Sequence, residues 1–144
     1  MLGKGTQLPE WATELLQAEP IARLAHLDEG DRPRVLPVTF AVAEGAVWSA
    51  IDDKPKRTAQ PARVRRLRRR PEAALLVDHY DADWSELAWV QLLGRVTVLE
   101  ASGAQPGLAA LVAKYKPYRD RPPTGPFLRL DIERTLHWRA ADHV

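Results

Sequence analysis

Three apolar runs crowd into residues 21–51 with little but turn-formers between them: IARLAHL, then DEGDRP, RVLPVTFAV, AEG and AVWSAI. Connections this short cannot hold the crossover helix that parallel strands require, so the three runs pair antiparallel as a meander. Everything else in the chain has to pack against that meander. EAALLVDHY reads as a buried strand, LAWVQLLGRVTVLE as a long strand with Gly94 as a bulge or bend, and FLRLDIERTLHWRA as a last strand or pair.

Helices punctuate the strands. Trp11, Leu15, Leu16 and Ala18 recur at helical spacing after Pro9, which predicts a short amphipathic helix over residues 9–18, closed by Pro20. In KPKRTAQPARVRRLRRRP, Thr58 can cap a helix, Pro61 suits its first turn, Val64 and Leu67 share one side, and Pro71 stops it. A further helix crosses from Gln105 to Tyr115. Hairpins outnumber any βαβ alternation, so the expectation is a mainly β fold, an antiparallel barrel with helices at its ends. A chain of 144 residues, 45% hydrophobic, suits one domain, with the barrel spanning about 20–140.

Composition removes several classes of function. There is no cysteine, which excludes disulfides, thiolate metal sites and a cysteine nucleophile, and fits a reducing cytosol. No run approaches the roughly 18 apolar residues of a membrane span. A soluble, cytoplasmic protein with no membrane partner is expected.

The net charge is only +2, yet nine of the 21 lysines and arginines fall between Lys54 and Arg70. Such a cluster has three readings. It can be a solvated helix face. It can be a stripe for nucleic acid, with Arg63, Arg66 and Arg70 on one side and Arg65 and Arg69 on another; no aromatic residue interleaves it for base stacking, which makes nucleic acid the weaker partner. Or it can hold the phosphate of a cofactor or metabolite at the barrel edge, because Lys54, Lys56 and Arg57 precede the helix and converge with the N–H groups of its first turn.

Other residues invite assignments that their context resists. Asp78, His79, Asp81 and Asp83 in DHYDADW match neither an EF-hand loop nor a two-histidine helix site, so they read as solvated loop charges and no metal is assigned. Trp48, Trp84 and Trp89 read as core or dimer-interface aromatics. His26, His137 and His143 are dispersed and take no catalytic role, and no serine sits in a nucleophile elbow.

Taken in order, ARLAHLDEGDRPRVLPVTFAV, AVWSAIDDKPKRT and LRRRPEAALLVDHYDADWSELAWVQLLGRV resemble the pyridoxamine 5'-phosphate oxidase-like family, the FMN-binding split barrels, and within it the coenzyme F420-dependent oxidoreductase branch. The resemblance implies a six-stranded antiparallel split barrel that works as a homodimer, with cofactor sites between the subunits. It implies F420 as cofactor, with FMN as the alternative, and a small-molecule substrate reduced or oxidised by hydride transfer. The strand ending in Pro37 and Val38 matches the family's PV strand, and Thr39 and Phe40 just beyond it would lie along the ring system. Ser49 and Ala50 match the strand that runs toward the phosphate loop. Lys54, Lys56, Arg57 and Thr58 match that loop, and Arg63 matches a second basic position on the following helix. No catalytic side chain is implied. Arg66 and Arg70 depart from the family, whose members often carry asparagine there, and their added charge would suit the several negative charges of F420.

Overall fold

In the computed structural model, residues 7–51 and 61–143 are described. Seven strands, β1 (Ala22–Leu27), β2 (Pro33–Val38), β3 (Ala41–Ala43), β4 (Ala46–Ala50), β5 (Glu72–His79), β6 (Ala88–Leu99) and β7 (Phe127–Arg139), form one sheet in the order β2-β1-β5-β6-β7-β4-β3. Every pairing is antiparallel. Among the described residues four α-helices accompany it: α1 (Glu10–Ala18), α2 (Ala62–Arg69), α3 (Gln105–Lys114) and α4 (Lys116–Asp120).

The seventh strand comes from a break. The run RVLPVTFAV, expected as one arm, is divided into β2 and β3, which lie on opposite edges of the sheet. Only Thr39 and Phe40 separate Val38 from Ala41, and three residue steps span about 11 Å at most. The two edges of a seven-stranded sheet are that close only if the sheet rolls up. No ladder joins β2 to β3 among the described residues, so the sheet is open in its hydrogen bonding while its chain path closes it: a split barrel.

The two short hairpin turns obey local chemistry. In the turn between β3 and β4, Glu44 and Gly45 have φ of 51° and 73°, the pair of positive angles that a two-residue turn needs to match the strand twist. In the β1–β2 turn, the Asp28 carboxylate accepts from the backbone N–H of Gly30 at 2.9 Å and of Arg32 at 3.0 Å. The Arg32 N–H is the largest of the influences that hold the Asp28 carboxyl down at about 2, against the opposing effect of burial.

One apolar core runs through the barrel. Ala22, Leu24, Phe40, Val47, Ile51, Leu75, Val77, Val90, Leu92, Leu128 and Leu130 fill it, Ala12 and Leu16 of α1 cover one part, and Val64 and Leu67 of α2 another. A second cluster lies on the other face of β4, where Trp48, Ala50 and Phe127 meet Ala104 and Leu111 at α3. β4 is therefore buried on both faces along its whole length. The expected bend at Gly94 is present as a register shift between Leu93 and Gly94 against β7. FLRLDIERTLHWR is a single strand, and the segment KPYRD is the helix α4.

Candidate cofactor site

The link between the two sheet edges brings four of the sequence-predicted site residues together: Val38, Thr39, Ser49 and Ala50. The buried Ser49 hydroxyl donates to the Thr39 carbonyl at 2.6 Å. The Thr39 hydroxyl lies 2.8 Å from the Tyr118 hydroxyl. Next along the chain, the Phe40 N–H donates to the Tyr115 hydroxyl at 3.0 Å, and that hydroxyl has the carbonyls of Phe40 and Pro20 at 2.9 and 2.8 Å as acceptors. Neither edge ladder covers Thr39 and Phe40, so Ser49 of β4, Tyr118 of α4 and Tyr115 between α3 and α4 bind their polar groups instead. Burial, first of all, raises the Tyr115 pKa, which keeps it the neutral donor and acceptor this role needs.

Within this corner the side chains divide. Phe40, expected along the ring system, is fully buried in the barrel core, to which Val38 also belongs, and Ala50 belongs to the α3 cluster, so their main chains are what they can offer a ligand. Thr39 is only partly buried. Above Phe40, the Lys114 ammonium stands 3.6 Å from the ring centroid and donates to the Leu16 carbonyl at 2.9 Å. Lys114, Tyr115 and Tyr118 were not singled out from the sequence; their signal was the KYKPY run, whose tyrosines follow a helix and precede a proline-rich loop.

The basic cluster is divided by its partners. Arg66 donates through Nε to both carboxylate oxygens of Glu29, at 2.9 and 3.0 Å. Arg70 reaches Asp31 at 2.8 Å, and Arg69 reaches Asp31 at 3.2 Å as well as the Asp28 carbonyl. The far half of α2 is thus fastened to the β1–β2 turn. The charges of Arg66 and Arg70, expected to suit a polyanionic cofactor tail, are matched by acids of this chain, and the stripe that nucleic acid would use is interrupted in the same way.

The first turn of α2 is different. Its N-cap is Pro61, with no side-chain cap, and Arg63 is its second residue. Beneath α2, His26 of β1 is buried with neither ring nitrogen hydrogen-bonded. Burial, then the nearby charges of Arg66, Arg34 and Arg63, lower its pKa, with Asp28 opposing. A helix start without a side-chain cap, an arginine in the first turn and positive surroundings fit the phosphate of a cofactor. Lys54, Lys56, Arg57 and Thr58 lie outside the described residues.

The remaining candidates have structural partners. Asp78 accepts from Arg23 at 2.9 Å, and His79 Nδ1 lies 3.2 Å from Glu19. Asp83 accepts from the Ser85 N–H and hydroxyl and so caps the 3-10 turn Trp84–Glu86. Trp48 is core, whereas Trp84 is 73% exposed and Tyr80 69%. His137 meets the Trp11 ring edge-on and His143 stacks on Trp138. No helix among the described residues is long and apolar enough to cross a membrane.

Similar folds occur in solved structures. The conserved hypothetical protein Rv2991 from Mycobacterium tuberculosis superposes with a TM-score of 0.73 at 17% identity, over 97% of this chain and 90% of that one. A FAD-binding protein from Mesorhizobium loti matches at 0.64 and 20% identity, over 90% and 94%. HutZ, the heme storage protein from Vibrio cholerae, matches at 0.69 and 15% identity, over 93% and 95%. Identities this low speak for the fold alone. No curated protein matches by sequence. The sequence profile of the pyridoxamine 5'-phosphate oxidase family, however, matches residues 8–139, nearly the whole chain. With the split barrel and its side-chain-pinned corner, that match makes this chain a member of the pyridoxamine 5'-phosphate oxidase family.

Proposed function

We propose that the chain is an oxidoreductase that holds coenzyme F420 at this corner, acting on a small organic substrate, as a cytoplasmic homodimer with its cofactor sites between the subunits. The observation that carries the reading is the corner itself. Thr39 stands in the split between two sheet edges, its carbonyl and hydroxyl fixed by Ser49 and Tyr118. A flat ring that must meet its substrate at a defined distance needs a wall of that rigidity.

When bound, the coenzyme supplies the hydride chemistry. The chain supplies position. Lys54, Lys56, Arg57 and Arg63 hold phosphate or carboxylate groups by charge-assisted hydrogen bonds, each worth roughly 1.5–3 kcal/mol when well formed. Thr39 and the main chain of Val38 and Ala50 border the ring. Exposed Val35, Tyr80 and Trp84 offer apolar area for the second subunit to cover, which would also exclude water from the ring.

FMN is the second reading, and one observation favours it: Arg66 and Arg70 are neutralised by Glu29 and Asp31, which brings the charge left for a ligand closer to what a single phosphate requires. The test is a parallel titration of the protein with oxidised F420 and with FMN, followed by the fluorescence of each at two salt concentrations. Saturable binding of F420 alone is expected. Binding of FMN alone selects the flavin reading. Binding of neither overturns both and leaves a barrel that holds another anion.

A further inference from the structure

A cavity of about 710 Å³ opens between α1, the β3–β4 turn and α3. Ala41 and Ala43 of β3, Ala110 and Ala113 of α3 and Leu16 of α1 form much of its wall. The room comes from the alanines: longer side chains at those positions would fill it. Its size falls within the range of pockets that enclose drug-sized molecules, about 300–1,000 Å³.

Among the described residues Lys114 is the one cation that lines this largely apolar space, with Gln7, Thr13, Gln17 and Glu44 as its polar neighbours. An ammonium carries three N–H donors. One is taken by the Leu16 carbonyl at 2.9 Å, and the ring face of Phe40 accepts the charge at 3.6 Å. Among the described residues no second oxygen acceptor meets this ammonium. Desolvation brings its pKa down to about 8, with the charge of Glu19 acting the other way. Glu19 is itself engaged with His79, and Glu44 stands exposed on the turn at the cavity's mouth.

We infer that this cavity is a binding site for a small apolar monocarboxylate, whose hydrocarbon body lies on the alanines and whose carboxylate pairs with Lys114. A carboxylate oxygen supplies the acceptor the ammonium lacks and offsets its buried charge. A phosphate fits less well, since one lysine faces two negative charges and Glu44 repels them at the entrance. A neutral molecule would gain the apolar surface but leave the ammonium as it is. The site does not depend on the cofactor reading, because the cavity opens between α1, the β3–β4 turn and α3, and neither Thr39, Ser49 nor Tyr118 lines it.

The test uses the full chain, 15N-labelled, titrated with octanoate and separately with 1-octanol. Octanoate is expected to shift the amides of Ala41, Ala43, Ala110, Ala113 and Lys114 saturably. Lys114→Met should weaken octanoate by about tenfold or more, the loss of a charge-assisted bond, and leave 1-octanol unchanged. Ala110→Leu should block both by filling the space, and it decides the matter if Lys114→Met does not fold. Equal octanoate affinity in wild type and Lys114→Met, shifts confined to other surfaces, or no saturation at millimolar octanoate would each overturn the inference. F420 and FMN are absent throughout, so the outcome is separate from theirs.

Discussion

The Ser49 hydroxyl donates to the Thr39 carbonyl at 2.6 Å across the corner where the chain leaves one edge of the sheet and enters the other. Ser49→Ala removes the donor and leaves a carbonyl in a largely dry place. The expected cost is about 1–3 kcal/mol, read as a fall in Tm of several degrees. A variant whose melting is unchanged would show that water replaces the hydroxyl and that Ser49 does not brace the corner.

The two halves of the basic cluster should behave differently. Arg66→Asn deletes a group whose charge is spent on Glu29, so cofactor affinity should stay within about twofold. Lys56→Ala with Arg57→Ala should instead weaken binding about tenfold or more, with little change in Tm. Equal losses in both variants would mean that Glu29 yields Arg66 to the ligand.

Gly94→Ala should be among the most damaging single-methyl changes. A Cβ at Gly94 would overlap the backbone carbonyl of Asp131 in β7, so β6 and β7, whose pairing is the longest in the sheet, must separate there. A loss of about 1–3 kcal/mol or more is expected in urea unfolding, and a silent substitution would contradict the tight approach of the two strands.

Acid should act in two steps. The His26 pKa is lowered in the fold from its ordinary 6.5, so between those values the unfolded chain binds the extra proton. Stability is therefore complete above about 6.5 and declines as pH falls below it. Asp28, held at about 2 against an ordinary 3.8, adds a second decline between those two values. Urea midpoints measured from pH 7.5 down to 2 should fall in both ranges, and His26→Phe should flatten the upper slope while leaving the lower one. An unaltered slope would assign the upper step to another group.

Much of this architecture is legible in short stretches. The turn residues of DEGDRP and AEG specify the hairpins, and Pro61 and Pro71 bracket α2, because those effects act over a few bonds. The break at Thr39 and Phe40 is not legible in that way. Alternation continues through RVLPVTFAV, and only closure of the distant sheet edges interrupts it. The partners of Arg66 and Arg70 are hidden for a related reason. Glu29 and Asp31 lie some 37–39 residues earlier in the chain, and a cluster read alone shows its charge without what neutralises it. KPYRD misleads in the opposite direction: proline and arginine suggest a loose rim, yet Tyr115 and Tyr118 tie that stretch to the corner.

The corner also decides which peptide bond the barrel can least afford to lose. Each of the six ladders joins neighbours in the sheet, and none spans the split between β2 and β3 among the described residues. A nick between Thr39 and Phe40 would leave all six ladders formed while releasing the covalent link that holds the sheet's margins together. The cut chain would keep its strands, and noncovalent contacts alone, the shared core and the Ser49–Thr39 hydrogen bond among them, would still draw the margins together, so at that one junction a backbone bond does what strand pairing does elsewhere in the sheet.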